Sequence, residues 1–401
     1  MSFIPNSVQA SGNFFAHTGG VQIPPRLEQK LLMLGRSNTL SDETQYWIPK
    51  RIITIDQARQ TYGTESELTQ FIIHALTADP LLHVYAVAME DDHTSINPVA
   101  TQEDAPTKQT KKVARTGSYA FDKLFKAMGD TFYTKMVIPF FDESAWQDLI
   151  RLAEQRNDPS IYRPLSIIVP SNLNFEAQVE LPKRFNSPYL HIIYLENAPA
   201  EELGMLAVST GVAMASFDNI DLGRPYKTLP IRGIKFRPAN NYIYAQSDAL
   251  VQAGSSWLRV DNAGQLIIGD ACSTYRLTSD GYIDKTWMFS EMLANYQYKL
   301  FDMEYLVKSR YAQVIFVPNN VVTQRENVVK PSDVKLAFME LIKLWESQAL
   351  SVNAEQIIQT LIVTFNVENP ARIDIRLTDQ MSVGGRIFTV AYSHGFHQGV
   401  E

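Results

Sequence analysis

The residues of this chain whose types could do chemistry are seven histidines, one cysteine and a few paired acids. His17, His74, His83, His93, His191, His394 and His397 include no pair at HExxH spacing, and none stands beside a cysteine or an acid cluster at metal-ligand spacing. His394 and His397, three apart near the C-terminus, read as a solvated tail, and His74 as a satisfied boundary residue. Cys272 is single, which excludes an intramolecular disulfide and a cysteine-rich metal site. Its context, Gly269-Asp270-Ala271-Cys272-Ser273, predicts a strand end with a small buried side chain. Phosphate binding needs a glycine-rich loop, and Leu34-Gly35-Arg36-Ser37 lacks both the further glycines of a dinucleotide fingerprint and the Lys-Ser/Thr of a P-loop. No G-x-S-x-G elbow is present. Asp91-Asp92 falls in a polar stretch, and Glu201-Glu202 starts a helix whose dipole accounts for the charges. These patterns assign no catalytic, cofactor-binding or metal residue.

The elements that would have to position any such group read as α/β. Leu31-Leu32-Met33-Leu34-Gly35 is a continuous apolar run, as in a strand buried on both faces. Thr64 and Glu67 predict a capping box for a helix with Leu68, Phe71, Ile72, Ala75 and Leu76 on one stripe, stopped at Asp79-Pro80. A strand from Leu82 to Met89 follows. Residues 91–117 are polar, aperiodic and loop-like. Phe121, Leu124, Phe125 and Met128 give a short helix, Met136 to Phe140 a strand, Trp146 to Leu152 a helix, and Leu165–Val169 and Leu190–Leu195 two strands. This alternation predicts a largely parallel sheet covered by helices.

The stretch from Leu203 to Ile234 reads as an Ala-rich helix, an Arg-Pro turn and a short apolar strand, LPIRGI. From Pro225 to Asp280 short apolar runs follow: Tyr242 to Ala245, Trp257 to Val260 and Leu266 to Ile268, with Asn262-Ala263-Gly264 a tight connection. Asp284 is placed to cap a long helix whose apolar seam is Phe289, Leu293, Tyr296, Leu300, Met303 and Val307. Ser332 opens another, with Val334, Phe338, Leu341, Ile342 and Trp345 on one face. Arg372 to Leu377 alternates, predicting one buried and one charged face. Gly384-Gly385 reads as a turn or hinge, and Arg386 to Tyr392 as a last β-rich segment.

The net charge of -7 argues against a nucleic-acid partner, which calls for a basic stripe. The one basic cluster, Lys108, Lys111, Lys112 and Arg115, reads as a solvated loop. The N-terminal MSFIPNSVQASG lacks a positive n-region and an apolar h-region, so no secretory signal is expected. No apolar run reaches the roughly 20 residues of a membrane span. The expectation is a protein made in the cytosol without membrane insertion.

Several segments, taken in order, resemble the shorter, Mu-like branch of the contractile-tail sheath family of bacteriophages. These are LLMLGR, ITIDQARQTYGTESELTQFIIHAL, LLHVYAVAMED, MVIPFFDESAWQDL, TWMFSEMLANYQYKLFDMEY with RYAQVIFVPNN, and Ala337 to Glu346. The helix, Arg-Pro and Leu-Pro-φ-x-Gly-φ order of 203–234 resembles it too. No single motif is diagnostic; the colinear order from about Pro25 onward carries the resemblance. It implies a subtilisin-like α/β core without protease activity, a mixed α+β C-terminal domain and extended terminal arms. The implied map is an N-terminal arm 1–24, a main domain 25–280, a C-terminal domain 281–385 and a C-terminal arm 386–401. Loop 91–117 stands where many members carry an inserted domain.

The resemblance further implies a structural subunit with no enzymatic activity and no cofactor. It would stack as hexameric rings around a tail tube, meet baseplate and tail terminator proteins, and contract to drive the tube through the host envelope. The location would be the virion, after assembly in the host bacterial cytoplasm. Terminal arms in the family add strands to a neighbour's sheet, and extended β-prone ends suit that. The residues assigned to such contacts are Phe14, Phe15, Val21, Ile23, Arg372, Ile373, Ile375, Arg386, Phe388, Val390 and Tyr392, with Gly19-Gly20 and Gly384-Gly385 as hinges. The alternatives are a sheath or baseplate component of a non-phage contractile injection system, and an α/β hydrolase.

Overall fold

The continuous apolar runs become the middle of one sheet. A computed structural model describes residues 26–37, 40, 43–89, 119–238 and 241–392. In chain order its first elements are β1 (Lys30–Arg36), β2 (Lys50–Ile52), α1 (Ile55–Tyr62), α2 (Glu67–Ala78), β3 (His83–Met89), α3 (Phe121–Met128), β4 (Lys135–Val137), α4 (Glu143–Arg156), β5 (Ser166–Ser171) and α5 (Phe175–Glu180). Then come β6 (Leu190–Tyr194), α6 (Ala200–Ile220), α7 (Tyr244–Ala253), β7 (Ser255–Val260), β8 (Leu266–Asp270) and α8 (Ser290–Tyr311). The chain continues through β9 (Ile315–Phe316), β10 (Val328–Val329), α9 (Pro331–Ser347), α10 (Ala354–Thr360), β11 (Ile362–Phe365) and β12 (Ile373–Arg376).

Eight strands form a mixed sheet in the order β2-β3-β1-β4-β5-β6-β7-β8. The six inner strands are parallel, and β2 and β8 run antiparallel at the edges. The fold is α/β as expected. Parallel strands covered on both faces have no polar side, which is why Leu31 to Leu34 and Ile167 to Val169 are fully buried. Helix α6 lies across β1, β4, β5 and β6. By length and composition α6 could cross a membrane, but most of its apolar window is buried within this protein. Gly211 lets it touch the sheet: a Cβ there would lie 2.4 Å from Val137 Cγ2.

Two compact units share the chain among the described residues: Leu27–Leu300 with the segment from Val383, and Phe301–Ser382. The sequence boundaries at 280/281 and 385/386 do not coincide with this division, which falls inside α8. A helix carries no turn signal at the point where its neighbours change.

Several local expectations are corrected. The cap of α2 is Ser66, whose hydroxyl accepts from Thr69 N–H at 3.1 Å. Glu67 instead accepts from Arg36 N–H at 3.1 Å. The short apolar run Tyr242 to Ala245 leads into a helix, since α7 begins at Tyr244; a four-residue run by itself does not distinguish helix from strand. LPIRGI is reduced to a bridge between Pro230 and Ile267, because proline has no N–H to continue a ladder. It still bonds along β8, with Thr228 N–H to Ile268 O at 2.8 Å and Ile231 N–H to Leu266 O at 2.8 Å. The sheet edge is thereby covered. Helix α8 starts at Ser290, and Asp284 folds a turn by accepting from Thr286 N–H at 2.9 Å and Tyr275 O–H at 2.7 Å. Helix α9 starts at Pro331, one residue before the expected Ser332.

In the unit 301–382, helix α9 buries Val334, Phe338, Leu341, Ile342 and Trp345, the face read from the sequence. Trp345 Nε1–H donates to Asp302 Oδ2 at 2.8 Å, while Asp302 Oδ1 is buried without a hydrogen bond. Burial pushes the Asp302 carboxyl up to about 7. A carboxyl whose folded pKa is raised holds its proton more tightly when folded, so stability falls as pH rises from about 4 to about 7. Asp302→Asn keeps an acceptor for Trp345 and removes the charge. It is expected to raise stability by about 4 kcal/mol at pH 8 and to change nothing below about pH 3. Denaturant melts at the two pH values check this, and an equal effect at both contradicts it.

Candidate assembly interface

Folding creates polar constellations that sequence spacing did not reveal. Ser290 Oγ lies 2.8 Å from His191 Nδ1, which is also 3.3 Å from Cys272 O. A hydroxyl beside an imidazole is the geometry of a nucleophile and its base. Here both residues are buried, and His191 Nε2 has no hydrogen-bond partner to orient the ring. Burial holds the imidazole down at about 4, so it is neutral. Ser209 Oγ and His74 Nε2 form a second pair at 3.0 Å, where burial again lowers the histidine. Cys272 is buried, as its sequence context predicts, and burial pushes its thiol up to about 12.

A third cluster links β4 to α6. Lys135 Nζ bonds Asp218 Oδ2, and Tyr226 O–H donates to the same carboxylate at 2.8 Å. Lys135 also reaches Gln29 Oε1 at 3.3 Å. Burial pushes the Asp218 carboxyl up against the pull of Lys135. These groups answer one another inside the protein. Among the described residues, no group of three or more His, Cys, Asp or Glu is placed to hold a metal.

The exposed candidates lie at the C-terminal end. Strands β11 and β12 pair antiparallel, with Val363 opposite Ile375 and Phe365 opposite Ile373. Phe365 meets Phe316 of β9 edge-on at 6.3 Å. Among the described residues, no further strand flanks this two-stranded sheet. The expected alternation into one buried and one charged face is not seen: Ile373, Asp374 and Ile375 are all half-buried. Arg372 Nε bonds Asp374 Oδ1 at 2.6 Å. A hairpin with both edges open is marginal by itself and offers backbone donors and acceptors to an added strand.

The segment from Val383 to Tyr392 forms no strand within the chain. Ile387, Phe388, Val390 and Tyr392 are 78–88% exposed. Arg386, assigned to the same contacts, is instead only 11% exposed at its side chain and faces its own unit. Gly384-Gly385 is no turn of left-handed backbone. A Cβ at Gly384 would lie 2.3 Å from Pro225 Cγ, so that glycine serves close approach. Phe14, Phe15, Val21, Ile23 and the loop 91–117 lie outside the described residues.

No protein-family model and no curated protein matches the sequence. Solved structures do match its fold. A chain of the contracted helical sheath of the anti-feeding prophage aligns with a TM-score of 0.59 at 13% identity, covering 95% of this chain and 98% of that one. A chain of the baseplate of the same particle gives 0.58 at 12%, over 97% and 100%. The sheath tail protein of Desulfitobacterium hafniense gives 0.55 at 10%, over 92% and 100%. The chain therefore has the fold of the sheath tail proteins of contractile injection systems along nearly its full length.

Proposed function

We propose that this chain is the structural subunit of a contractile tail sheath. The observation that carries the proposal is likeness to sheath subunits over 92–95% of this chain and 98–100% of theirs. The subunit stacks as hexameric rings around a tube, meets baseplate and terminator proteins, and acts mechanically with no catalytic step. Apolar residues 387–392 of one subunit add as a strand to the β11–β12 hairpin of another. Residues 14–23 act in the same way at the other end. The finer role is a bacteriophage tail assembled in the host cytoplasm. A second reading, the sheath of a non-phage injection particle, is favoured by the likeness to the sheath of an extracellular contractile injection system, at a TM-score of 0.55.

Electron microscopy of the purified protein tests the shared core of both readings. Striated tubes with a hollow bore are expected. A monodisperse monomer at every concentration and salt condition, with a specific serine labelled by hydrolase probes, overturns it. Particles purified from the producing cells separate the two readings by whether they contain a genome-filled head.

A further inference from the structure

Arg386 has a largely buried side chain immediately before the exposed run that begins at Ile387. Its Nε lies 3.1 Å from Asp270 Oδ1, at the end of β8. Its Nη2 lies 2.5 Å from Glu291 Oε1, in the first turn of α8, and its guanidinium sits 3.4 Å from the centroid of the Phe289 ring. The main chain is held as well: Lys227 Nζ donates to Arg386 O at 3.4 Å, and Gly384 packs on Pro225. Three separate pieces of the sheet-bearing unit therefore hold Gly384 and Arg386. The Asp270 contact is a hydrogen bond that sets direction, while Glu291 and the Phe289 ring hold the guanidinium by charge and stacking without a hydrogen bond of their own. One residue later Ile387 is 78% exposed.

We infer that Arg386 is the pivot of the C-terminal arm, clamping it to the sheet-bearing unit so that the strand-forming segment starts at Ile387. The inference rests on the sheath reading for its purpose, but the clamp itself is a property of the single chain. The arm follows the unit 301–382 in sequence yet is fastened to the other unit. Tension on a donated strand is then delivered to β8 and α8, and the donor moves with the large sheet. The flexible point is the bond after Arg386, in place of the glycine pair. Gly384 is held against Pro225 and cannot swing freely without leaving that contact.

The charges facing the clamp are Asp270, Glu291 and Lys227, with Tyr226 and Cys272 close enough to be felt. Burial pushes Glu291 up to about 7, with Arg386 pulling it down. Removing Arg386 alone would leave a carboxylate buried without its cation. The test therefore uses the full-length double variant Arg386→Met with Glu291→Gln, which keeps volume and removes both charges. NMR backbone order parameters of folded, unassembled subunits read the clamp directly. Wild type should be rigid at Gly384 and Arg386 and mobile from Ile387 on. The double variant should melt near wild type and become mobile at Gly384 and Arg386.

Assembly then reads the purpose. Re-ordering one freed backbone residue costs about 5- to 30-fold in an association constant, so the double variant should need about ten-fold more protein to form tubes. Unchanged order at Gly384 and Arg386 overturns the clamp. Lost order with wild-type assembly shows that Arg386 does not position the arm, and leaves the sheath reading standing. Wild-type protein that never forms tubes overturns the sheath reading while the order parameters still decide the clamp.

Discussion

Subunits shortened to end at Arg386 are expected to stay folded, melt close to the full-length protein and form no tubes. Ile387, Phe388, Val390 and Tyr392 are 78–88% exposed, so deleting them removes almost no buried area from the subunit. What is lost lies between subunits. A strand of six residues can exchange about five backbone hydrogen bonds with the hairpin edge, each worth about 1 kcal/mol net. Covering Phe388 and Val390 adds about 2 kcal/mol each. The sum, about 9 kcal/mol before ordering costs, corresponds to roughly six orders of magnitude in association. Sedimentation velocity and electron microscopy measure it. Tubes at normal yield from the shortened chain would show that this arm is no joint. An unfolded product would show that the arm belongs to the subunit's own core.

Gly211→Val is expected to be the most damaging single change to the fold itself. The missing Cβ at this position lets α6 rest on β4, where Val137 Cγ2 would otherwise stand 2.4 Å away, with Ile168 and Leu31 at 3.5 Å. Overpacking a close-packed interior costs about 1–3 kcal/mol, and more where neither side can yield. Here a 21-residue helix and four strands would have to separate. Against a typical total stability of about 5–15 kcal/mol, a loss above 3 kcal/mol is expected, read as a fall in melting temperature of more than about 6 °C or as insoluble protein. Gly281→Ala is the control. It has open space around its Cβ and only a left-handed φ of +82° to oppose it, so about 1 kcal/mol is expected. Equal melting temperatures for the two variants would contradict the packing argument.

The charged clamp and the two Ser–His pairs show where sequence reasoning stops. His191 and Ser290 are 99 positions apart, His74 and Ser209 135, and Arg386 and Asp270 116. Spacing rules work only where one helix or one loop carries all the groups, and none of these sets does so. The close approach of Gly384 was hidden for a related reason. Glycine has two uses, unusual backbone angles and close contact, and the neighbour that decides between them, Pro225, lies about 160 positions away.

The amino-acid sequence by itself determined the α/β class, the parallel inner strands and the buried faces of α2 and α9. Burial imposes a local period on apolar residues, and a local period survives in one dimension. It also determined that residues 386–392 are largely apolar and β-prone. Only the tertiary structure decided that α7 is a helix, that the unit boundary falls inside α8, and that Arg386 turns inward while Phe388, Val390 and Tyr392 turn outward. Those outcomes depend on which distant surfaces meet. A charge beside two carboxylates and a ring is held inside, while the apolar side chains that follow it stay largely exposed.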